Sequence, residues 1–438
     1  MQPITSKEIK NILNLNQEII ETTINDISTD SRKLSPNTLF IAIKGEKFDG
    51  HDFIKDVLKT APLVISDHAI EDTPSSRVIV VKDTLKALGT LASYNRSLYK
   101  GTVIALTGSS GKTTTKELLK TALSNYGKTY ATSGNFNNHI GVPRSLLDID
   151  MESQFAIIEM GMSALGEISY LTSLTKPDIA LLTNVYPMHI EYLKTLENIA
   201  LAKSEIFQGL SPQGIAIYNQ EASLTSIIHQ EASKYTSNIL TYSNEDDILS
   251  SLTLEDNAPH HKSNASAVLK VLDALNLSKE KSFESINNFT APEGRGKKHH
   301  LNLNNNSITL IDDSYSGQPE AMKLAINSLG SSKTSGRKIA LLGKMSELGD
   351  YSITAHQEVG LCLKENNIDI VIGVCEETKD ILSQLSPTTE RYYFDDHTEV
   401  SDFLITKLLK NNDTILIKGS HYSSKVYMVA NALKQYQS

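Results

Sequence analysis

A glycine-rich turn followed by a lysine and a row of threonines is the clearest chemical signal in the sequence. The stretch TVIALTGSSGKTTTKELLKTAL, residues 102–123, has the pattern of a buried strand, a short loop and an amphipathic helix. Glycines let backbone N–H groups turn towards an anion, and a helix N-terminus adds partial positive charge. Lys112 can then reach the β- and γ-phosphates of a nucleotide, and Thr113 can ligate Mg²⁺. The pattern predicts a nucleoside-triphosphate site formed by Gly108, Ser109, Ser110, Gly111, Lys112, Thr113 and Thr114.

The loop departs from the general phosphate-loop pattern GxxxxGK[ST]. Leu106 occupies the position of the first glycine, so that only the shorter form GxxGKT remains. The alternative interpretation is a Gly-Ser turn that joins a strand to a helix and leaves Lys112 in solvent. The strand before the loop and the helix after it favour phosphate binding.

Two candidate metal ligands follow neighbouring predicted strands. Glu159 ends the run FAIIEMG, and His189 follows the run DIALLTNV after a short loop. Open parallel sheets place their sites at the carboxyl ends of the strands, and Mg²⁺ prefers hard ligands. The alternatives, a surface carboxylate and an ordinary loop histidine, stay open on the sequence alone.

Lys203 lies beside an apolar helix face in the stretch NIALAKSEIFQGL. A lysine in this position usually extends its ammonium group to water. In a desolvated pocket its pKa would fall, and the neutral amine could take up CO₂ as a carbamate that ligates a metal. The sequence does not choose between these two interpretations.

Alternating strand-like and helix-like runs predict the elements that position these residues. TVIALT, FAIIEM, DIALLTNV and GIAIYN indicate one parallel sheet flanked by helices, and RKIALLG, IDIVIGV and DTILIKG indicate a second. The first hundred residues carry IAIKGEKFDGHDFI and PLVISD and favour a smaller α/β unit. With linkers at residues 97–101 and in the asparagine run 302–307, we predict three α/β domains: residues 1–98, 99–302 and 303–438.

Composition excludes several classes of function. The 438 residues are 39% hydrophobic and 21% charged, which is typical of a globular protein. The net charge of −9, without a basic cluster, argues against a nucleic-acid partner. Cys362 and Cys375 lie far from any metal-binding or disulfide pattern and are interpreted as packing residues. Without a membrane-length apolar run or a signal-peptide pattern, the expected location is the cytoplasm.

Several stretches together resemble the ATP-dependent Mur ligases of peptidoglycan synthesis, over nearly the whole chain. They are DSRKLSPNTLFIAIKGEKFDGHDF, TGSSGKTTTKE, GNFNNHIGVPRSLL, IIEMGM, AKSEIF, GRGK, IDDSYSGQPEAM, LLGKMSELGD with His356, and ILIKGS. The resemblance implies an N-terminal domain that binds a uridine nucleotide, a central phosphate-loop ATPase domain and a C-terminal Rossmann-like domain. It also implies a ligase that uses ATP and Mg²⁺. We expect this protein to be a monomer.

Within that family, GNFNNHIGVP and LGKMSELG are similar to the member that uses UDP-N-acetylmuramoyl-tripeptide and D-alanyl-D-alanine. The activity implied is amide-bond formation through an acyl phosphate. Two alternatives remain: a sister ligase with a different amine, and a phosphate-loop protein that is not a ligase, such as a kinase or a nucleotide-gated binding module.

The resemblance also implies roles for single residues. It makes Thr113, Glu159 and His189 Mg²⁺ ligands, and Lys203 a carbamylated lysine that ligates metal. Asn264 corresponds to an adenine contact, Arg295 to a phosphate contact and Asp313 to a ribose contact. The implied substrate-binding residues are Ser31, Arg32, Asn135, Asn137 and Asn138. Taken singly, these polar residues could equally be ordinary turn, helix-cap or surface residues.

Four positions depart from the family pattern. Tyr315-Ser-Gly-Gln-Pro319 replaces Y-N-A-N-P, and His139 stands where an acidic residue is common. Lys344 replaces a frequent aspartate, and His421 replaces a frequent arginine. These departures bear on the amine site more than on the ATPase chemistry.

Overall fold

Three parallel or mostly parallel β-sheets, one after another along the chain, organise the molecule. The structure is a computed structural model and describes residues 1–45, 48–254 and 259–436. Glu46 and Lys47, which belong to the first stretch quoted for the family, lie outside the described residues. The predicted α/β fold class with three sheet-containing parts is confirmed.

The N-terminal part contains a four-stranded parallel sheet in the order β3-β4-β5-β6. Strands β4 and β5 are buried along their whole length, as expected for a parallel sheet with both faces covered. A separate antiparallel pair, β1-β2, precedes it. The elements are β1 (Ile4–Thr5), α1 (Ser6–Ile12), β2 (Thr23–Ile24), β3 (Asp26–Ser28), β4 (Thr38–Ile41), α2 (Ile54–Val57), β5 (Leu63–Ser66), β6 (Val78–Val80) and α3 (Thr84–Leu98).

The central part contains a six-stranded, all-parallel sheet in the order β12-β11-β10-β7-β9-β8. Its strands are β7 (Thr102–Thr107), β8 (Thr129–Ala131), β9 (Phe155–Glu159), β10 (Ile179–Leu182), β11 (Ile215–Asn219) and β12 (Ile239–Tyr242). Its helices are α4 (Lys112–Leu123), α5 (Gly141–Leu147), α6 (Glu167–Thr175), α7 (Ile190–Leu193), α8 (Leu196–Ser204), α9 (Thr225–Ala232), α10 (Pro259–Ala274) and α11 (Phe283–Asn287). The strand order reverses at β7, and a crevice at such a point is where α/β sheets bind ligands.

The C-terminal part contains a six-stranded sheet in the order β13-β14-β18-β15-β16-β17, in which only the β13–β14 pair is antiparallel among the described strands. Its strands are β13 (Lys297–Leu303), β14 (Asn306–Asp313), β15 (Lys338–Gly343), β16 (Ile370–Val374), β17 (Glu390–Phe394) and β18 (Thr414–Lys418). Its helices are α12 (Pro319–Ser331), α13 (Ser352–Glu365), α14 (Thr378–Ser383), α15 (Val400–Phe403), α16 (His421–Ser424) and α17 (Val426–Gln435).

The asparagine run 302–307 is a hairpin turn, and its interpretation as a linker is wrong. Asn304 and Asn305 have φ of 49° and 62° and connect β13 to β14, because two-residue hairpin turns need positive φ and asparagine tolerates it. The domain limits themselves stay a proposal. Since β13 belongs to the third sheet, we propose to move the second limit to a point before Lys297.

Within the described ranges, no helix combines the length and the apolar character that crossing a bilayer requires.

Candidate active site at the carboxyl edge of the central sheet

The predicted phosphate loop connects β7 to α4 at the point where the strand order reverses. Gly111, the residue before α4, has φ of 76°, and a Cβ atom there would lie 2.9 Å from Oδ1 of Asn264. No side chain of the described residues caps this helix start. The first N–H groups of α4 therefore remain available to an anion.

The loop that follows the neighbouring strand β10 holds the phosphate loop in shape. Asn184 accepts a hydrogen bond from the Ser110 amide at 2.8 Å and donates one to the Ser110 carbonyl at 3.0 Å. The Ser109 hydroxyl accepts a hydrogen bond from the Tyr186 amide at 2.9 Å. Asn184 was not predicted from the sequence, although an amide directly after a buried strand, at the same sheet edge as the loop, was a usable signal.

Lys112 folds back over this loop. Its ammonium group donates a hydrogen bond to the Gly108 carbonyl at 2.8 Å. Burial lowers the pKa of Lys112 to about 8, while the negative charge of Glu159 opposes the shift. A phosphate group bound at the loop would favour the ammonium form.

A cavity of about 840 Å³ opens beside the loop, between the central and C-terminal parts of the chain. It brings together twelve of the residues predicted from the sequence: Ser109, Ser110, Gly111, Lys112, Thr113, Asn135, Asn137, Asn138, Glu159, His189, Lys203 and Arg295.

Glu159 occupies the base of this cavity and is 1% exposed. Its Oε1 accepts hydrogen bonds from Nδ2 of Asn137 at 2.8 Å and from the Thr113 hydroxyl at 3.4 Å. Its Oε2 is buried and has no hydrogen-bond partner in the described part of the chain. A buried carboxylate oxygen without a hydrogen-bond partner, next to a threonine hydroxyl, is a suitable ligand for a hard divalent cation.

Lys203 is buried at the end of α8, on the wall of the same cavity. Burial, together with the positive charge of Lys112, moves the pKa of Lys203 well below its usual value. Because Lys203 is only 2% exposed, the interpretation in which its ammonium group extends to water is wrong.

His189 lies at the cavity edge with a φ of 58°, and its Nδ1 pairs with the carboxylate of Glu347 from the C-terminal part. This contact lowers the pKa of Glu347.

A smaller cavity of about 110 Å³ adjoins the loop on its other side and is lined by Thr114, Asn264, Arg295 and Asp313. Asn264 accepts a hydrogen bond from the Thr115 hydroxyl at 3.1 Å. The Asp313 carboxylate pairs with Lys418 at 2.6 Å, and burial raises the Asp313 pKa although Lys418 opposes this. Lys418 was not predicted from the sequence.

Arg295 lines both cavities and so connects them. Its guanidinium lies 3.9 Å from the centre of the Tyr315 ring, and burial lowers its pKa. The stacked ring fixes the direction of the guanidinium.

Family models match three segments in succession. Residues 23–96 match the Mur ligase family catalytic domain, residues 106–285 the Mur ligase middle domain, and residues 299–421 the Mur ligase glutamate ligase domain. The chain is 34% identical to the UDP-N-acetylmuramoyl-tripeptide–D-alanyl-D-alanine ligase of Buchnera aphidicola subsp. Baizongia pistaciae (strain Bp), over 94% of this chain and 93% of that protein. It is 33% identical to the enzyme of the same name from Escherichia coli (strain K12), over 99% of both chains.

The chain belongs to the Mur ligase family. Solved structures agree: crystal structure I of MurF from Acinetobacter baumannii superimposes with a TM-score of 0.88 at 29% identity, covering 99% of this chain and 100% of that one. The MurF ligase of Thermotoga maritima in complex with ADP gives 0.80 at 26% identity, covering 94% and 97%.

Two substrate residues expected from the Mur ligase resemblance lie outside both cavities. Arg32 has a side chain that is 86% exposed and pairs with Asp30 at 2.8 Å, and Ser31 precedes it in the same turn. Their role in binding stays a prediction.

Two of the four departures from the Mur ligase pattern contribute residues to the lining of the large cavity. His139 and Tyr315 line it. The ring of His421 stacks between Tyr315 at 5.0 Å and Tyr427 at 4.1 Å. Lys344 pairs with Glu377 at 3.0 Å.

Proposed function

We propose that this protein is the ATP-dependent ligase that joins D-alanyl-D-alanine to UDP-N-acetylmuramoyl-tripeptide in peptidoglycan precursor synthesis. The relatives that bear this name match it over nearly their full length. The observation that carries the proposal is the single cavity in which Lys112, the buried Glu159, the buried Lys203 and the asparagines of the GNFNN loop meet.

In this reaction the terminal carboxylate of the tripeptide attacks the γ-phosphoryl group of ATP, which gives an acyl phosphate and ADP. The amine of the dipeptide then displaces phosphate, forms the amide bond and loses its proton. Lys112 and the N-terminus of α4 hold the phosphate oxygens, so that the anionic carboxylate can approach them. Because water would hydrolyse an acyl phosphate, closure of the C-terminal part over the cavity would favour transfer to the amine.

Thr113 and Oε2 of Glu159 would hold Mg²⁺, with His189 as a further ligand. The ion supplies positive charge that offsets the clustered phosphate oxygens. We propose that Lys203 carries a carbamate, because its lowered pKa provides the neutral amine that adds to CO₂ with release of a proton. The carbamate oxygens would complete the set of hard ligands.

The smaller cavity would take the nucleoside of ATP, with Asn264 at the adenine, Asp313 at the ribose and Arg295 at the phosphates. Asn135, Asn137 and Asn138 would bind the muramoyl peptide in the large cavity. We assign Ser31 and Arg32 to the uridine end of this long substrate, away from the reacting carboxylate. One chain provides all of these groups, and we propose that it acts as a monomer.

A phosphate-release assay over a matrix of UDP-muramoyl peptides and dipeptides tests the proposal. We expect release to require both UDP-muramoyl-tripeptide and D-alanyl-D-alanine, and mass spectrometry to show the amide product. Release with a different amine would indicate a sister ligase. ATP hydrolysis that is indifferent to both substrates would indicate a phosphate-loop protein that is not a ligase.

A further inference from the structure

Lys116 is a fully buried lysine that the proposed reaction does not use. It lies in α4, one turn beyond Lys112, and its side chain is 0% exposed. Its ammonium group donates hydrogen bonds to the Thr132 carbonyl at 2.7 Å and to the Gly134 carbonyl at 2.8 Å. A buried charge is retained only when its surroundings compensate it, and backbone carbonyls do so here.

Two carboxylates complete the surroundings of this ammonium group. Oε1 of Glu117 lies 3.1 Å from Nζ, and Oε2 of Glu159 lies 3.8 Å from it. Lys116 therefore contacts the same Glu159 oxygen that has no hydrogen-bond partner among the described residues. Its positive charge acts on the group that we assign to Mg²⁺.

Of the two carbonyls that Lys116 binds, that of Thr132 lies two residues before the GNFNN loop, residues 134–138, and that of Gly134 is in its first residue. The loop continues from Gly134 to Asn137, whose side-chain amide donates to Glu159 at 2.8 Å and whose carbonyl accepts from the Gly161 amide at 2.8 Å. Gly134 itself has φ of 52°, and a Cβ atom added to it would meet nothing within 4 Å among the described residues. Without Lys116, the Thr132 and Gly134 carbonyls would lose this donor.

We propose that Lys116 is a positioning residue that fixes the GNFNN loop against the phosphate-loop helix. One side chain on α4 thereby sets the distance between Lys112, which we assign to the nucleotide, and Asn135, Asn137 and Asn138, which we assign to the muramoyl peptide. This inference rests on the proposed function for its ligands, but its geometric part, the anchoring of the loop, is independent of any substrate.

The test compares Lys116→Met with Lys120→Met. Methionine keeps the unbranched stem and removes the ammonium group, and Lys120 is an exposed lysine one turn further along the same helix. We expect K116M to raise the KM for the UDP-muramoyl-tripeptide about tenfold or more, the change that losing a charged hydrogen bond produces. The KM for D-alanyl-D-alanine should change less, and K116R should recover part of the loss. K120M should match the wild type.

Amide hydrogen exchange of the ligand-free proteins gives a readout that needs no activity. Amides of residues 133–140 should exchange faster in K116M than in the wild type and in K120M. An unchanged KM together with unchanged exchange overturns the proposal. A lower melting temperature with an unaltered KM for the tripeptide substrate also overturns it, because that result describes a residue that only supports the fold.

A variant that does not fold and a wild-type protein without the proposed activity are two further outcomes, and each has its own interpretation. If K116M does not yield folded protein, K116Q is measured in the same two ways, and wild-type values for it reject the proposal. If the wild-type protein shows no substrate-dependent phosphate release, the proposed function fails, and hydrogen exchange alone then decides whether Lys116 anchors the loop.

Discussion

Two ammonium groups, those of Lys112 and Lys203, lie close enough in the cavity that the charge of one lowers the pKa of the other. Burial disfavours the charge on both. The two lysines can respond in different ways. A bound nucleotide phosphate would stabilise the positive charge of Lys112, whereas the neutral amine of Lys203 would add CO₂, release a proton and become an anionic carbamate. The same environment thus prepares two lysines for opposite roles.

Nucleotide affinity should fall as the pH rises through the pKa of Lys112. In the free protein this pKa is about 8, and bound phosphate raises it. Affinity is therefore complete below that pH and falls by up to about tenfold per pH unit above it, the slope expected when binding takes up one proton. Titration calorimetry with ADP at several pH values measures this. In Lys112→Arg the guanidinium stays charged, so the profile should be flat over the same range. Equal slopes in both proteins would exclude Lys112 as the titrating group.

Replacing Lys203 with alanine should reduce amide formation by about 100-fold or more, as expected when a group that stabilises charge at the reaction centre is lost. Bicarbonate with a small carboxylate such as acetate should restore part of the rate, because the added carboxylate can occupy the space of the carbamate. The coupled phosphate-release assay measures both effects, and the same additives should leave the wild-type rate unchanged. Full activity of the unsupplemented alanine variant would remove the carbamate from the mechanism.

Among the secondary-structure elements, the sequence predicted those parts of the site whose residues are contiguous in the chain, and it missed contacts between residues that are distant in the chain. The unit β7–loop–α4 is continuous in sequence, and its glycines, lysine and apolar spacing identified it directly. Asn184 follows strand β10 and Lys418 ends strand β18, so only the order of the strands in the sheets shows what these two residues contact. The asparagine run was misinterpreted because hairpin turns and linkers share a polar composition, and only strand pairing separates them.

The start of α4 depends on glycine at residue 111. Alanine there would adopt φ near 76°, at a cost of about 1–2 kcal/mol, and its Cβ would lie 2.9 Å from Asn264 Oδ1. Gly166, the residue before α6, is the matched control: it has φ of 88°, but a Cβ there meets nothing within 4 Å among the described residues. We expect G111A and G166A both to lower the melting temperature, and only G111A to weaken ADP binding. Calorimetry and thermal unfolding check this, and equal ADP affinities would show that the loop tolerates the added methyl group.

At the scale of the whole molecule, the cavity exists because the C-terminal part lies against the central part. One contact between them is Glu347, which pairs with His189 through its side chain and accepts a hydrogen bond from the Glu191 amide at 3.3 Å through its carbonyl. His189 is also the residue that we assign to the metal. The side chain of His189 therefore belongs both to this contact between the two parts and to the proposed metal site.

Removing the charge of Glu347 should loosen this contact in the ligand-free protein. Glu347→Gln keeps the backbone hydrogen bond to Glu191 and abolishes the ion pair with His189. Because the Glu347 side chain is 36% exposed, we expect the substitution to weaken the interaction between the two parts by only about 0.5–1 kcal/mol. A change of this size raises the population of molecules in which the two parts have separated by roughly two- to fivefold. Small-angle X-ray scattering should show a larger radius of gyration for E347Q, and the difference should shrink when ATP analogue and UDP-substrate are bound. Glu376→Gln, at a side chain that is 85% exposed, is the control and should scatter like the wild type. If E347Q scatters like the wild type as well, the ion pair does not hold the two parts together, and the hydrogen bond to Glu191 and the apolar contacts around it are sufficient.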